Sequence, residues 1–99
     1  MNRGIMTVKV IVTRKYPKEL EATIIPFLSD LYQQVTRHGG YISGETLICV
    51  NDPEEHLIIS TWKSMEDWEK YCNCMVVNEI RNKIDSVIGE LTLRRVYQT

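Results

Sequence analysis

The spacing of apolar residues changes inside one short stretch of the chain, HLIISTWKSMEDWEKY at residues 56–71. Its first part is a β-branched and aromatic run of strand length that ends at Trp62. From Ser64 onward apolar residues recur at spacings of three and four, the period of a helix with one buried face. Ser64 and Asp67 match the Ser-x-x-acid form of a capping box, in which the hydroxyl accepts a free helix amide. The stretch therefore predicts a strand that runs directly into a capped helix.

The same periods predict the other strands and helices of the chain. The predicted strands cover residues 6–13, 41–50, 57–62 and 90–97, and the predicted helices cover residues 18–38, 64–72 and 75–88. Pro26 lies inside the first helix and removes one backbone hydrogen bond there, so we expect a kink or a break near residues 23–25. Gly44 in the second strand is expected to mark a β-bulge or the close approach of another group.

The order of these elements is β-α-β-β-α-β, with the last two helices counted as one helical unit. This is the ferredoxin-like α+β fold, an antiparallel sheet with its helices on one face. A sheet with one face in water carries polar residues at every second position, but Ile11 faces away from the neighbouring valines, and Leu57 is followed by Ile58. We therefore expect the sheet of a second copy to cover the other face, in a homodimeric α+β barrel. Arg94 and Arg95 fall on opposite faces of the last strand, so one of them is available to pair with an acid across that interface.

Composition and charge exclude several classes of function. The 99 residues suit one domain, residues 1–99, and 43% hydrophobic with 25% charged residues is typical of a globular chain. The net charge of −1 gives no electrostatic basis for binding nucleic acid or an anionic membrane. No stretch approaches the roughly 20 apolar residues of a membrane span, and Thr7 and Lys9 interrupt the N-terminal apolar run that a signal peptide would need. We expect a cytoplasmic protein.

The cysteines do not form a recognisable metal or redox motif. Cys49, Cys72 and Cys74 are an odd number and contain no C-x-x-C pair, so we expect reduced and mostly buried thiols. The alternative is a metal half-site made by Cys72 and Cys74 with His38 or His56. Because the two histidines show no paired spacing, we predict no metal.

The stretch GETLICVNDPEEHLIISTWKSMEDWEKY, residues 44–71, resembles the antibiotic-biosynthesis-monooxygenase (ABM) family of the dimeric α+β barrel superfamily. The matching features are the small residues Ser43 and Gly44, the acidic turn, the strand end at Thr61 and Trp62, and Trp68 in the helix. The similarity covers nearly the whole chain. It implies a cofactor-independent monooxygenase that acts on a small aromatic substrate, a quinol or a polyketide. The alternative is a non-catalytic dimeric barrel that binds a small apolar ligand or has a structural or regulatory role.

A haem-degrading branch of these relatives ranks third. Its site resembles an asparagine on the first strand, a tryptophan on the helix after the third strand, and a histidine ten residues further on. This sequence has Trp68 at the tryptophan position but Ile11 and Asn78 at the other two. Since neither isoleucine nor asparagine supplies the expected group, we predict no cofactor.

The candidate site residues follow from the chemistry that a cofactor-free oxygenase needs. A deprotonated phenol or quinol passes an electron to oxygen directly, so the protein needs a dry aromatic cavity, a base and an oxyanion donor. The candidate catalytic residues are Trp68, Asn78 as donor and His56 as base; the candidate pocket residues are Ile11, Trp62 and Tyr71. Structural roles are the alternatives: a core anchor for Trp68, a sheet or interface residue for Trp62, and solvated positions for Asn78 and His56.

Overall fold

The computed structural model describes residues 7–90 and 92–99, so the predicted strand residues Met6 and Leu91 lie outside the described part. The elements are β1 (Val8–Lys15), a 3-10 helix (Lys18–Leu20), α1 (Glu21–Arg37), β2 (Tyr41–Ile48), β3 (Glu55–Trp62), α2 (Met65–Cys72), α3 (Met75–Ile88) and β4 (Leu93–Gln98). The strands form one antiparallel sheet in the order β2-β3-β1-β4. This arrangement confirms the predicted ferredoxin-like α+β fold.

The helices pack on one face of the sheet. On β1 the buried side chains alternate with more exposed ones, and the buried set faces α1 and α3. The core residues are Val8, Val10, Val12, Leu31, Trp62, Trp68, Tyr71, Val77, Ile80 and Ile84. Among the described helices, none combines the length and the apolar content needed to cross a bilayer.

The β1–β3 pair extends further than the sequence predicted. β1 continues to Lys15 instead of ending at Thr13, because β3 begins at Glu55 and offers it two more partners. Arg14 pairs with His56 in this extension. Arg14 has the same parity as the buried valines of β1, so the extension places an arginine and a histidine on the helix face of the sheet.

Helix α1 is not broken at its proline. It runs from Glu21 to Arg37 through Pro26, and the change of helix type lies at its start, after Leu20. Of the kink or break expected near residues 23–25, the break was therefore wrong. A proline costs one hydrogen bond here, and the buried side chains of Ile24 and Leu31 hold the helix against the sheet on either side of it.

Strand β2 contains a bulge, but not at Gly44. Its register against β3 shifts between Tyr41 and Ser43. Gly44 marks the close approach instead, because a Cβ built there would lie 2.6 Å from Oη of Tyr41. The Tyr41 ring consequently folds over the backbone of β2.

The start of α2 has the predicted cap. Ser64 Oγ accepts a hydrogen bond from the Asp67 amide at 3.1 Å and donates one to Asp67 Oδ2 at 2.8 Å. The short break at Asn73 then separates α2 from α3, as predicted. This cap fixes the direction of α2, which carries two of the aromatic residues described below.

Candidate functional site

A cavity of about 330 Å³ lies between the helices and the helix face of the sheet. Val12 and Trp62 are buried residues that line it from the sheet. Tyr32 of α1 and Gly44 of β2 also line it and are exposed, so they stand where the cavity meets solvent. Its volume is at the lower end of the range for small-molecule sites, about 300–1,000 Å³.

One wall of the cavity is a connected group of aromatic rings. The Trp62 ring has its centroid 5.5 Å from Tyr41, 5.5 Å from Trp68 and 5.0 Å from Tyr71. The guanidinium of Arg81 covers this group, 5.3 Å from the Trp68 centroid and 5.0 Å from that of Tyr71. Cation–π contact holds Arg81 over the rings.

Burial further favours the protonated form of Tyr71. The pKa of Tyr71 is raised to about 12, chiefly because burial disfavours the phenolate. The phenol therefore keeps its proton at neutral pH. A protonated phenol in the wall of the cavity is a hydrogen-bond donor for a ligand oxygen.

Positive charge is concentrated in the cavity. Arg14, Arg81 and Arg94 all line it. Arg14 is only 8% exposed, and its Nε is buried without a hydrogen-bond partner among the described residues. Burial, followed by the charge of Arg94, lowers the pKa of Arg14 to about 10. Burial and the charge of Arg81 also lower the pKa of Arg94.

The described part of the chain does not neutralise these charges. Its ion pairs lie elsewhere, and no carboxylate is within 4.0 Å of the three guanidinium groups. The charge of Asp85 acts on Arg14 and Arg94. However, Asp85 Oδ1 accepts hydrogen bonds from Thr92, at 2.6 Å from Oγ1 and 3.3 Å from the amide. Glu45 also lines the cavity, but three arginines against one glutamate leave an excess of positive charge.

His56 lies in the same cavity, opposite Arg14 on the neighbouring strand. Its ring stacks on Tyr16, with centroids 4.5 Å apart and planes 7° apart. Nδ1 is buried and has no hydrogen-bond partner within the described ranges. Stacking on Tyr16 thus holds the His56 ring in place, and the hydrogen-bonding capacity of Nδ1 is not used by the described residues.

Several solved structures of other proteins share this architecture. No family model matches the sequence, and no curated protein matches it significantly. Solved structures do match: a conserved protein from Methanosarcina mazei Go1 has a TM-score of 0.83 at 14% identity, covering 94% of this chain and 92% of that one. An antibiotic biosynthesis monooxygenase has a TM-score of 0.77 at 13% identity, with 91% and 95% covered. SnoaB, a cofactor-independent oxygenase from Streptomyces nogalater, has a TM-score of 0.73 at 8% identity, with 97% and 92% covered.

The chain has the ABM fold. The predicted resemblance is confirmed at the level of the fold by these named monooxygenases. At identities this low the likeness concerns the backbone and does not extend to a reaction. The chemistry of this chain depends on the side chains that line its cavity.

The ABM fold brings four of the six predicted site residues together. His56, Trp62, Trp68 and Tyr71 line the cavity. Asn78 does not: it is exposed on α3, where its Nδ2 donates to the Cys72 carbonyl at 2.9 Å across the break between the helices. Its expected place in the cavity is corrected because α3 buries its Val77, Ile80 and Ile84 stripe instead.

Ile11 also lies away from the cavity. It has odd parity on β1 and therefore points to the sheet face opposite Val10 and Val12. Asn78 is outside the cavity as well. Of the three positions that correspond to the haem-degrading pattern, Trp68 lines the cavity, whereas Ile11 and Asn78 do not. The residues present do not fit a haem site of that kind.

The sequence also offered a metal half-site, and the structure gives it no support. The three cysteines are half-buried free thiols. Within residues 7–90 and 92–99, no three His, Cys, Asp or Glu side chains cluster as metal ligands would. His38 instead contacts the edge of the Tyr71 ring, with centroids 5.3 Å apart.

Two arginines of the cavity were missed, although the sequence contains a signal for both. Arg14 continues the even-numbered buried face of β1 after Val12. Arg81 stands four residues after Val77 and three before Ile84, so it lies on the buried side of α3. A charged residue at the buried period of its element was the sign that could have identified them.

Proposed function

We propose that this protein is a cofactor-independent monooxygenase acting on a small aromatic substrate, of the quinol or phenol type, bound in the cavity. The observation that carries the proposal is the aromatic-lined cavity with His56 in its lining, whose buried Nδ1 has no hydrogen-bond partner among the described residues. The ABM fold of a named cofactor-independent oxygenase adds support. The cavity volume favours a small substrate over a large polyketide. A cytoplasmic location stays a prediction from the sequence.

The proposed reaction needs no external reductant. His56 accepts the proton of an activated C–H or O–H group, and the resulting carbanion or phenolate is oxidised by O₂. A C–O bond forms at the ring carbon, and Tyr71 donates a hydrogen bond to the developing oxyanion. The O–O bond then breaks: one oxygen stays as a carbonyl and the other leaves as water. A CH₂ group and O₂ thus become C=O and H₂O, and the substrate supplies all four electrons.

Oxygen uptake with a panel of quinols and hydroxylated aromatics tests this proposal. With an active substrate, His56→Gln should lower the rate by about 100-fold or more, because a positioned base contributes about 10²–10⁴. Trp68→Phe should lower the rate less, since a smaller ring still lines the wall. Glu19→Gln is the control, because Glu19 is exposed and does not line the cavity; His38 is unsuitable since its ring contacts Tyr71. Uptake that is unchanged in His56→Gln would contradict the role of this histidine.

The second candidate is a non-catalytic dimeric barrel that binds a small ligand in the same cavity. It is favoured by the absence, in the described part, of a hydrogen-bond partner that would orient His56, since catalytic bases are usually held by a third group. Ligand binding by the wild type without oxygen uptake across the whole panel would decide for this candidate.

We also propose a homodimer in which the two sheets pack face to face. The face away from the helices carries apolar residues in adjacent positions, and three of its side chains are half exposed: Leu47 at 45%, Leu93 at 58% and Tyr97 at 50%. A row across this face runs Glu45, Ile59, Ile11, Arg95. A two-fold axis parallel to the strands would set Arg95 against Glu45 of the partner subunit.

A charge at the centre of that face tests the dimer. Ile11→Glu should convert the dimer to a monomer, because two glutamates would be buried near the axis, while the neighbouring Arg95 already lies opposite Glu45 of the partner subunit. Sedimentation velocity at micromolar concentration measures the change. Ile25→Glu is the matched control, since Ile25 is 52% exposed on α1. A wild type that sediments as a monomer would refute the interface.

A further inference from the structure

A phenolate formed in the proposed oxygenase reaction carries one negative charge, which is fewer than the three arginines that line the cavity. Three arginines line a cavity of about 330 Å³, and one of them, Arg14, is 8% exposed with an Nε that has no hydrogen-bond partner in the described part of the chain. A buried cation without a counter-charge is costly. Such groups persist at sites where a ligand brings the opposite charge.

We propose that the cavity binds aromatic ligands that carry an anionic oxygen group, with Arg14, Arg81 and Arg94 as its receptor. This inference uses the cavity of the proposed function and names its ligand class, but it does not depend on the oxygenase reaction. The group is a carboxylate or a phosphate, which share the acceptor geometry that a guanidinium recognises.

The backbone brings these arginines to one place. Arg94 pairs with Val12 in the sheet, so it is the diagonal neighbour of Arg14 on the same face, at roughly 7–8 Å between Cα atoms. Arg81 approaches from α3, and its charge acts on both of the others. The three guanidinium groups come from β1, β4 and α3. Because they approach from different elements, they can surround one anionic group.

The aromatic wall of the cavity favours a ligand that contains an aromatic ring. Arg81 lies over the Trp68 and Tyr71 rings, so the anion site and the aromatic wall are adjacent. A ligand whose ring lies against that wall therefore has its substituent beside a guanidinium. Nucleic acid is a poorer occupant, because Arg14 and Arg94 are recessed in the fold and the net charge of the chain is −1.

Calorimetric titration with four probes tests the inference, without oxygen, so that turnover plays no part. The probes are benzoate, its neutral isostere benzamide, phenyl phosphate and inorganic phosphate. Benzoate or phenyl phosphate should bind the wild type at least about 10-fold more tightly than benzamide, because a hydrogen bond from a guanidinium to an anionic oxygen is stronger than one to a neutral amide. The tighter of the two anions identifies the preferred group. Inorganic phosphate should bind more weakly than both, since it lacks the ring.

Substitutions then assign the binding to the arginines. Arg14→Met and Arg94→Met should each weaken binding of the preferred anion by about 10-fold or more and leave benzamide binding unchanged. Arg37→Met is the matched control, because Arg37 is exposed at the end of α1. Should Arg14→Met fail to fold, Arg94→Met alone carries the test.

The result that overturns the inference is specific. Equal affinity for benzamide and both aromatic anions, or anion affinity unchanged in both arginine variants, excludes the receptor. Equal affinity for inorganic phosphate and phenyl phosphate excludes the aromatic requirement. Benzoate binding, together with no oxygen uptake across the panel of quinols and hydroxylated aromatics, refutes the proposed monooxygenase and leaves this inference standing.

Discussion

Replacing Gly40 with alanine is expected to lower the free energy of unfolding by about 2–3 kcal/mol. Gly40 has φ of 95°, in the left-handed region that disfavours a Cβ. A Cβ there would also meet the carboxyl group of Asp67, the partner of Ser64 in the cap of α2. Gly40 further accepts a hydrogen bond from the Lys63 amide at 2.7 Å. One substitution thus strains the turn and displaces the cap.

Gly39→Ala is the matched control for this prediction. Gly39 is next in the chain, it does not have a positive φ, and a Cβ built there has nothing within 4 Å. Urea unfolding of both variants at equal protein concentration measures the difference, since association would otherwise shift the midpoint. Equal stability of the two variants would mean that the turn relaxes without disturbing α2.

The fold could be predicted largely because its period signals are long and consistent. The bounds predicted for α3, residues 75–88, are those observed, since its apolar stripe is uninterrupted and Gly89 ends it in the left-handed conformation. The strand ends were less accurate, because pairing decides them. β1 runs on to Lys15 only since β3 supplies partners, and a single strand's pattern does not contain that information.

The site was predicted only in part, for a physical reason. Large aromatic residues such as Trp62 and Trp68 show the same spacing along the chain whether they fill a core or line a cavity. The sequence therefore predicted that they are buried, but not which of these two roles they have. Asn78 was placed by its distance along the chain from Trp68, and the break at Asn73 turned it to the outside. The buried arginines were hidden because charge is normally interpreted as exposure.

Arg14→Met is expected to raise the free energy of unfolding by about 1–3 kcal/mol in the absence of ligand. The fall in the pKa of Arg14 to about 10 records the cost of holding its charge inside the protein. Methionine is unbranched and apolar, so it fills the space of the arginine side chain without the cost of a buried charge. Arg37→Met should stay within about 0.5 kcal/mol, as surface substitutions do. A loss of stability in Arg14→Met would show that the arginine serves the fold.

The pH dependence of that gain follows from the direction of the pKa shift. The pKa of Arg14 is lower in the folded than in the unfolded chain, so the folded chain releases this proton first as the pH rises. Below about pH 9 both states hold the proton, and the gain from Arg14→Met should be constant. Above about pH 10 the unfolded wild type holds more protons than the folded wild type, so the free energy of unfolding of the wild type rises. The gain from Arg14→Met should therefore shrink. Urea midpoints of both proteins from about pH 6 to 11 measure this; a gain that fell between pH 6 and 9 would assign the effect to another group.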